Sequence, residues 1–540
     1  MKLRTIVKIA LTTSIVLLCT GFAMYSFFKL SVVEGRKDFN LYTLIPTSAT
    51  VVFDTDNLSG FIEDVNGLES SKNRQFLYVS KLFSLLKSHL DSALETTPHG
   101  LSREMNNAIF SFHEPDNDRN QVFYCSLGEG DRERMETFIH NYLSPDYPYK
   151  IFKYKGEEIR IYPMEGGEFM ACYLTSNFMA VSFQKKLIEE VIDAYKTGNS
   201  LAKDSAFIKS VTPKKGAVVT TVYARLRPIA MGATNDRMTH RISVGDWSEF
   251  ELNLKGESIY LSGINNHTDS CLTFMNVIRK QQSVQGFPKG ILPSSTLFFS
   301  KRSVSDWDSM LKFIRTSMNV DSCVSVYTQQ RDKELSHYLI KNVYGDFTQC
   351  TFLRKDTLEG PATVISMSLG SVAEAENQLY SLIKMAPKEE GASRMPRITF
   401  CYTASRAYSL YPLPKNTLFM QLTGIATPES HNYASFLGDR LILASDVDAL
   451  TQYIRHLDKG EILEEGMVNE TGINGISESS NFVLVADLPN VFRHSGNYTR
   501  MIPNFFFRNE DFFRHFILFV QFTVSGEAVY SHINLYYKGI

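Results

Sequence analysis

Apolar residues recur along this chain in two rhythms. Short β-branched and aromatic runs predict strands: ATVVFD after the turn at Pro46, then NNAIFSF and QVFYCSL around the polar loop HEPDNDRN. In FLYVSKLFSLLKSHLDSAL, Phe76, Val79, Leu82, Phe83, Leu86 and Leu90 return every three to four positions, which predicts an amphipathic helix. RERMETFIHNYL predicts a second helix, stopped near Pro145. QKKLIEEVIDAYKTG predicts a third, closed by Gly198, since glycine adopts the left-handed conformation that ends helices. The hairpin FELNLKGESIYLSGI turns at Lys255-Gly256 and alternates Phe250, Leu252 and Leu254 with polar residues, so one face is buried and one is wet. Hairpin-linked strands with interspersed helices predict an α+β fold with a largely antiparallel sheet. The order is not a regular βαβ alternation and no glycine-rich turn follows the first strand, which disfavours a doubly wound nucleotide-binding fold.

The pattern then repeats. LIPTSATVVFD from Leu44 returns as ILPSSTLFFSK from Ile291, and SLG at Ser126 to Gly128 returns at Ser368 to Gly370. Phe178 to Leu201 aligns without gaps to Arg440 to Leu463. VVTTVYARL ending at Leu226 matches FVLVADL ending at Leu488, and KGESIYLSGIN from Lys255 matches SGEAVYSHIN from Ser525. Five matches in one order, at offsets of 242–270, predict two tandem, internally duplicated α+β domains, 40–268 and 290–540. The connector 269–289 holds a short amphipathic stretch, Leu272 to Lys280, and then QGFPKG.

Ile9 to Phe28 is a run of 20 residues without a charge. At about 1.5 Å per residue, a helix of that length spans the roughly 30 Å hydrocarbon core of a bilayer. Lys2, Arg4 and Lys8 precede it, which predicts a cytoplasmic segment 1–8, a transmembrane signal anchor 9–28 and an exported remainder. Gly21-Phe22-Ala23 resembles a cleavage site that would release a secreted form, but the apolar run continues five residues past Ala23, which favours the anchor. Cys19 follows Leu18, a residue too large for the position before a lipoprotein cysteine.

With 44% hydrophobic and 21% charged residues over 540 positions, the chain is globular rather than disordered, collagen-like or polytopic. A net charge of −2 offers no basic field for nucleic acid. Past Lys29 the balance is mildly acidic, which does not suit a surface gripping anionic lipid or polysaccharide. Cys125, Cys172, Cys271, Cys323, Cys350 and Cys401 are widely spaced without a CxxC, and three sit in apolar strand contexts, so they read as buried free thiols.

The familiar catalytic motifs G-x-S-x-G, HExxH, GxxxxGK[ST] and GxGxxG are absent. S-x-x-K occurs at Ser84/Lys87, Ser182/Lys185, Ser309/Lys312 and Ser381/Lys384, without the S-D-N and K-T-G partners, and reads as solvated helix faces. Asp116, Asp118 and Asn120 match the opening of a calcium loop, but Gln121 replaces its turn glycine and Leu127 its distal acid. The 12 histidines lack zinc spacing, and His113 beside Glu114 is isolated. Gly128-Glu129-Gly130 is half a phosphate loop followed by acids that repel phosphate. The run Phe505-Phe506-Phe507, Phe512-Phe513 and Phe516, interrupted by charges, reads as core packing. Positions matched between the repeats, such as Pro46/Pro293, Gly128/Gly370, Gly198/Gly460, Leu226/Leu488 and Gly256/Gly526, are scaffold positions. No catalytic, cofactor-binding or metal-binding residue is assigned, and no cofactor is expected.

The N-terminal anchor, the LIPTSATVVF start, Phe178 to Leu201, the connector before GILPSST and the closing hairpin together resemble an uncharacterised family of membrane-anchored envelope proteins of Bacteroidota, a domain of unknown function. The resemblance covers nearly the whole chain and implies a location and an architecture, but no reaction. The D-[ST]-apolar triplets at Asp91, Asp204, Asp308 and Asp356 look like the O-glycosylation sequon of that phylum's envelope. The expected function is a non-enzymatic, single-pass inner-membrane protein whose periplasmic domains bind or scaffold an envelope protein or glycan, with no nucleic-acid partner. Two alternatives differ in what they require. An envelope hydrolase or transferase needs convergent carboxylates in a groove between the repeats. An accessory substrate-binding component of an export machine needs a large apolar surface.

Overall fold

The computed structural model describes residues 39–539, apart from 73–79, 97–101, 103, 115–118, 144–147, 165–166, 212–219, 234–239, 267–268, 270, 319–325, 356–359, 386–397, 425–431, 465–476, 478 and 495–500. Among these residues twenty strands form one hydrogen-bonded array. In the first half they are β1 (Ala49–Thr55), β2 (Ala108–His113), β3 (Gln121–Ser126), β4 (Lys150–Tyr154), β5 (Glu157–Pro163), β6 (Phe169–Leu174), β7 (Phe178–Ser182), β8 (Thr220–Arg225), β9 (Trp247–Lys255) and β10 (Ser258–Asn265). The second half adds β11 (Thr296–Val304), β12 (Val343–Phe352), β13 (Ala362–Leu369), β14 (Thr399–Tyr402), β15 (Ala407–Pro412), β16 (Tyr433–Leu437), β17 (Arg440–Ala444), β18 (Phe482–Asp487), β19 (Phe516–Ser525) and β20 (Ala528–Tyr537).

Every neighbouring pair is antiparallel. The first half runs β4-β5-β6-β7-β3-β2-β1-β8-β9-β10. The second runs β14-β15-β16-β17-β13-β12-β11-β18-β19-β20, the same order with ten added to each label. Local details correspond as well. A register shift between Ala49 and Val51 has its counterpart between Thr296 and Phe298. Isolated bridges join Pro46 to Ser200 and Pro293 to Ile462. Leu201 N donates to Ile45 O at 3.0 Å, and Leu463 N to Leu292 O at 2.8 Å. The α+β class and the large antiparallel sheet are thus as the sequence predicts.

The halves join through β10 and β20, from Ser258↔Tyr536 to Asn265↔Val529. Counted from the matching turns at Gly256 and Gly526, Ser262 and His532 are equivalent positions, and they face each other in this ladder. Leu261↔Ile533 and Gly263↔Ser531 exchange places about them, the signature of a twofold contact. Gly263 is required here, because a Cβ would run into the carbonyl oxygen of Glu249 on β9.

The helices are α1 (Leu58–Gly67), α2 (Lys81–Thr96), α3 (Asp131–Phe138), α4 (Lys185–Thr197), α5 (Ser205–Ser210), α6 (Phe274–Ile278), α7 (Trp307–Met318), α8 (Val326–Asn342), α9 (Val372–Met385), α10 (Leu418–Thr423), α11 (Val447–Asp458), α12 (Leu488–Arg493), α13 (Asn504–Arg508) and α14 (Glu510–Phe513). In the first half Leu58, Ile62, Leu82 and Leu86 pack with Phe123 and Met179 on one face, while Leu187, Ile188, Val191 and Phe207 pack with Tyr124 and Ala180 on the other. Adjacent strand residues thus serve opposite cores, as the two-residue period of a strand requires. The second half repeats the layering, with α7, α8 and α9 on one face and α11 on the other.

Two features were not visible as local patterns. The stretch expected to be an amphipathic connector contains α6, whose Phe274, Met275, Val277 and Ile278 are all buried in the second half's core. The continuous sheet brings the halves together and buries the apolar face of that stretch, while Leu272 and Lys280 stay exposed. The β8-to-β9 passage also carries an inserted strand pair, Ile229–Met231 with His240–Ile242, and the β18-to-β19 passage carries α12, α13 and α14. The insertions meet: Gly232 N donates to Ile502 O at 2.9 Å, and Asn504 Nδ2 donates to Gly232 O at 2.7 Å. Among the described residues no helix is long and apolar enough to cross a membrane, and Ile9 to Phe28 lies outside them.

Candidate functional site

Where the insertions meet, the sheet and α7 enclose a cavity of about 230 Å³. Strand alternation makes its floor. Phe482 and Leu484 of β18 and Leu518, Val520 and Phe522 of β19 face it, while Val483, Val485, Ile517 and Phe519 serve the opposite core. Met310, Phe313 and Ile314, three and four positions apart on α7, present one helix face to it. Ile229, Met231 and Ile242 come from the first half's insertion, and Met501, Pro503 and Phe506 from the second's. Phe482 stacks on Phe522 with ring centres 5.5 Å apart and meets Phe274 edge-on at 5.2 Å. The space exceeds the roughly 150 Å³ that holds benzene in an engineered apolar cavity. It is smaller than the roughly 300 Å³ at which drug-sized pockets begin.

Among the described residues no acidic side chain lines this cavity; its polar side chains are Arg302, Ser317 and Gln421. Arg302 lies on β11 between Phe347 of β12 and Phe482 of β18. It is 6% exposed. Its guanidinium carbon is 4.9 Å from the Phe347 ring centre, and Nη2 is 3.3 Å from Met501 Sδ. Nε is buried with no hydrogen-bond partner. Burial holds its pKa down to about 10, and among the described residues no carboxylate offsets the cost. Gln421 Nε2 donates to Thr417 Oγ1 at 2.7 Å, and Gln421 Oε1 is buried and unpaired. Arg331 Nε and Arg354 Nε are unpartnered too, but those guanidinium groups meet acids, whereas among the described residues that of Arg302 does not. A second apolar cavity, about 200 Å³ beneath α1 and α2, is lined by Phe53, Phe61, Phe83 and Phe110 among others and has no charged residue.

A serine–histidine contact lies elsewhere. The exposed Ser48 Oγ is 3.1 Å from His113 Nδ1, and His113 Nε2 is 2.8 Å from Ser111 Oγ, which contacts Tyr124 OH at 3.1 Å. Burial pulls the His113 pKa down to about 4, so the ring is neutral at neutral pH. In a catalytic triad the far ring nitrogen meets a carboxylate that stabilises the imidazolium. Here it meets a hydroxyl, and Glu190 contacts Ser48 instead, at 3.4 Å. The group that would make His113 a strong base is missing from its place. The "isolated" histidine is one link in a buried hydroxyl chain.

The other residues singled out in the sequence are scattered. Ser182 donates to Gln121 O at 2.6 Å and Ser381 to Asn377 O at 2.9 Å, and the Ser309 hydroxyl bonds Asp306. Lys185 pairs with Glu189, and Lys384 sits 4.4 Å from the Tyr380 ring centre, so neither activates a serine. Ser84 and Lys87 lie on α2. The turn at Gly128 to Gly130 is filled by the Asp131 carboxylate, which accepts from Gly128 N at 2.9 Å and from Ser102 Oγ. Asp116 and Asp118 lie outside the described residues. Phe513 and Phe516 are buried, whereas Phe505 is 37% exposed. Cys125, Cys172, Cys350 and Cys401 are buried free thiols, Cys271 is exposed, and Cys323 is outside the described residues. Asp204 caps α5, accepting from Ala206 N and Phe207 N, while Asp308 lies in the first turn of α7 and Asp91 within α2. Asp356 is outside the described residues. Among the described residues no three His, Cys, Asp or Glu side chains converge as a metal site.

The sequence reading does not reach Arg302 or Gln421. The available signal is the alternation of β11, in which Phe298, Ser300, Arg302 and Val304 share a face and an arginine stands between apolar positions. Counted from Pro46 and Pro293, its counterpart in the first half is the buried Thr55, so the charge belongs to one half only. Comparison with protein families, curated proteins and solved structures returns no match, so the family resemblance rests on the residues quoted for it.

Proposed function

We propose that this chain is a non-enzymatic envelope protein, anchored in the inner membrane by residues 9–28, that binds an apolar ligand in the cavity beneath α7. The lining carries this reading: it is mostly aliphatic and aromatic, and among the described residues it contains no carboxylate to act as acid, base or nucleophile. In this reading residues 1–8 are cytoplasmic, everything after the anchor faces the periplasm, and 40–268 and 290–540 descend from one duplicated domain. The shared strand order, the paired bridges at Pro46 and Pro293, and the twofold β10–β20 ladder support the duplication. The two insertions differ in kind and meet over the cavity, which supports a binding role acquired after duplication. The apolar lining favours a lipid-like envelope component over a glycan.

The test uses the full-length chain in membrane vesicles and a neutral, clickable alkyl diazirine as photoprobe. Adducts are expected on peptides carrying Phe482 to Leu484 and Leu518 to Phe522. They should disappear in a cavity-filling Val520→Trp variant that keeps its circular dichroism spectrum. Adducts confined to residues 9–28, or unchanged in Val520→Trp, would overturn the reading.

A further inference from the structure

We infer that the ligand of this cavity is an acidic amphiphile, an acyl chain whose terminal carboxylate is received by Arg302. The inference rests on the binding role proposed above and names the ligand's chemistry. Five observations carry it. Arg302 is 6% exposed, so little of its charge reaches bulk water. Among the described residues no carboxylate is within ion-pair distance, its one side-chain hydrogen bond is to a thioether sulfur at 3.3 Å, and its Nε has no partner. Among the described residues the buried Arg331 pairs with Glu334, and the half-buried Arg354 and Arg440 pair with Asp446 and Asp448 and with Asp346, so the chain supplies an acid to each. The rest of the lining, from Phe274 and Phe313 to Leu518 and Ile533, is suited to an acyl chain. Gln421 Oε1 leaves a second polar atom on the same lining unpaired.

The chemistry follows from these parts. A guanidinium offers parallel N–H donors in a plane, which a carboxylate matches with its two oxygens. Bringing that anion in pairs a charge that the fold otherwise leaves alone in an apolar enclosure. An alcohol of the same chain length fills the same space but leaves the charge uncompensated. The volume limits the buried chain. If about 150 Å³ holds the six carbons of benzene, the cavity holds about nine or ten carbons, and a longer chain would leave past the half-buried Ser317 and Phe506.

The experiment is a competition against the neutral diazirine probe in vesicles at pH 7.5, using decanoate and decan-1-ol at matched bilayer concentrations. In the natural protein decanoate should displace the probe at a concentration about tenfold or more below decan-1-ol, as a charge-assisted hydrogen bond implies. In Arg302→Met the probe should still label the cavity, and the two competitors should become equal. Equal competition in the natural protein, or a preference for the acid that survives in Arg302→Met, would overturn the inference while leaving the cavity's binding role intact. Absence of cavity labelling in the natural protein would instead remove the binding role on which the inference rests.

Discussion

Arg302→Met should make the ligand-free protein more stable. The substitution keeps an unbranched apolar stem of similar length and removes the charge. Burial lowers the Arg302 pKa from 12.5 to about 10. At about 1.4 kcal/mol per pKa unit, holding the proton at neutral pH costs the fold about 3 kcal/mol. The sign follows from linkage. The unfolded chain keeps this proton to higher pH than the folded one, so the penalty is full below about pH 10 and fades only as pH rises above it. The contact with the Phe347 ring, 4.9 Å away, offsets about 1–2 kcal/mol of that cost and is lost with the charge. The net expectation is a gain of about 1–2 kcal/mol, as when buried charges are replaced by apolar residues of similar volume. The assay is guanidinium unfolding of delipidated, full-length protein in a non-ionic detergent, followed by fluorescence. Trp247 lies in the first half's core and Trp307 in the second's, so the two tryptophans report on both halves. The midpoint should rise in Arg302→Met at unchanged slope, while Arg302→Lys, which keeps a charge, should not raise it. A loss of about 1 kcal/mol or more in Arg302→Met would refute the reasoning, because it would mean the charge has a structural partner.

Two further outcomes test the electrostatics away from the cavity. His113 has its pKa lowered from 6.5 to about 4, so the unfolded state binds the proton first; the associated stability is intact above about pH 6.5 and is lost, by about 3 kcal/mol, as pH falls through 4. His113→Gln should flatten this part of the stability–pH profile measured by urea titration from pH 7.5 to 4, and an unchanged slope would count against a buried neutral ring. Asp346 accepts from Arg440 Nη2 at 2.9 Å and from Ser368 Oγ at 2.7 Å on the buried strands β12, β13 and β17. Asp346→Ala leaves Arg440 unpaired and should cost about 3–5 kcal/mol in the same titration, most of it recovered in Asp346→Leu/Arg440→Met; a double variant as unstable as the single one would show that packing, not charge, is the cause.

Much of the fold is legible in the chain because it depends on residues close in sequence. Apolar residues every three or four positions place α2, α4 and α11, and glycines with positive φ at Gly198 and Gly460 end the last two elements or the turn just beyond them. Short β-branched and aromatic runs place β1, β2 and β3. The matched segments that begin at Leu44 and Ile291 occupy corresponding ladders and make corresponding bridges, because the same local sequence meets the same neighbours. The candidate site is not legible in this way. Period-two alternation puts Arg302 on a face with Phe298 and Val304, but cannot say whether an acid waits opposite it.

That answer lies in residues brought from far along the chain: Met501 at its Nη2, Phe347 under its plane, and the two insertions that touch at Gly232 and Asn504. The β10–β20 seam has the same character, since edge strands pair through backbone groups that every sequence carries, and only packing selects which edges meet. By itself the sequence determined the rhythm of strands and helices, the α+β class and the repeated order of matched segments. Tertiary structure decided that the two halves share one sheet, that the apolar face of α6 is core, and that one arginine lines an apolar cavity without a counter-charge among the described residues. Burial and pairing are properties of the assembled neighbourhood, and a single strand's pattern reports only which way its own side chains point.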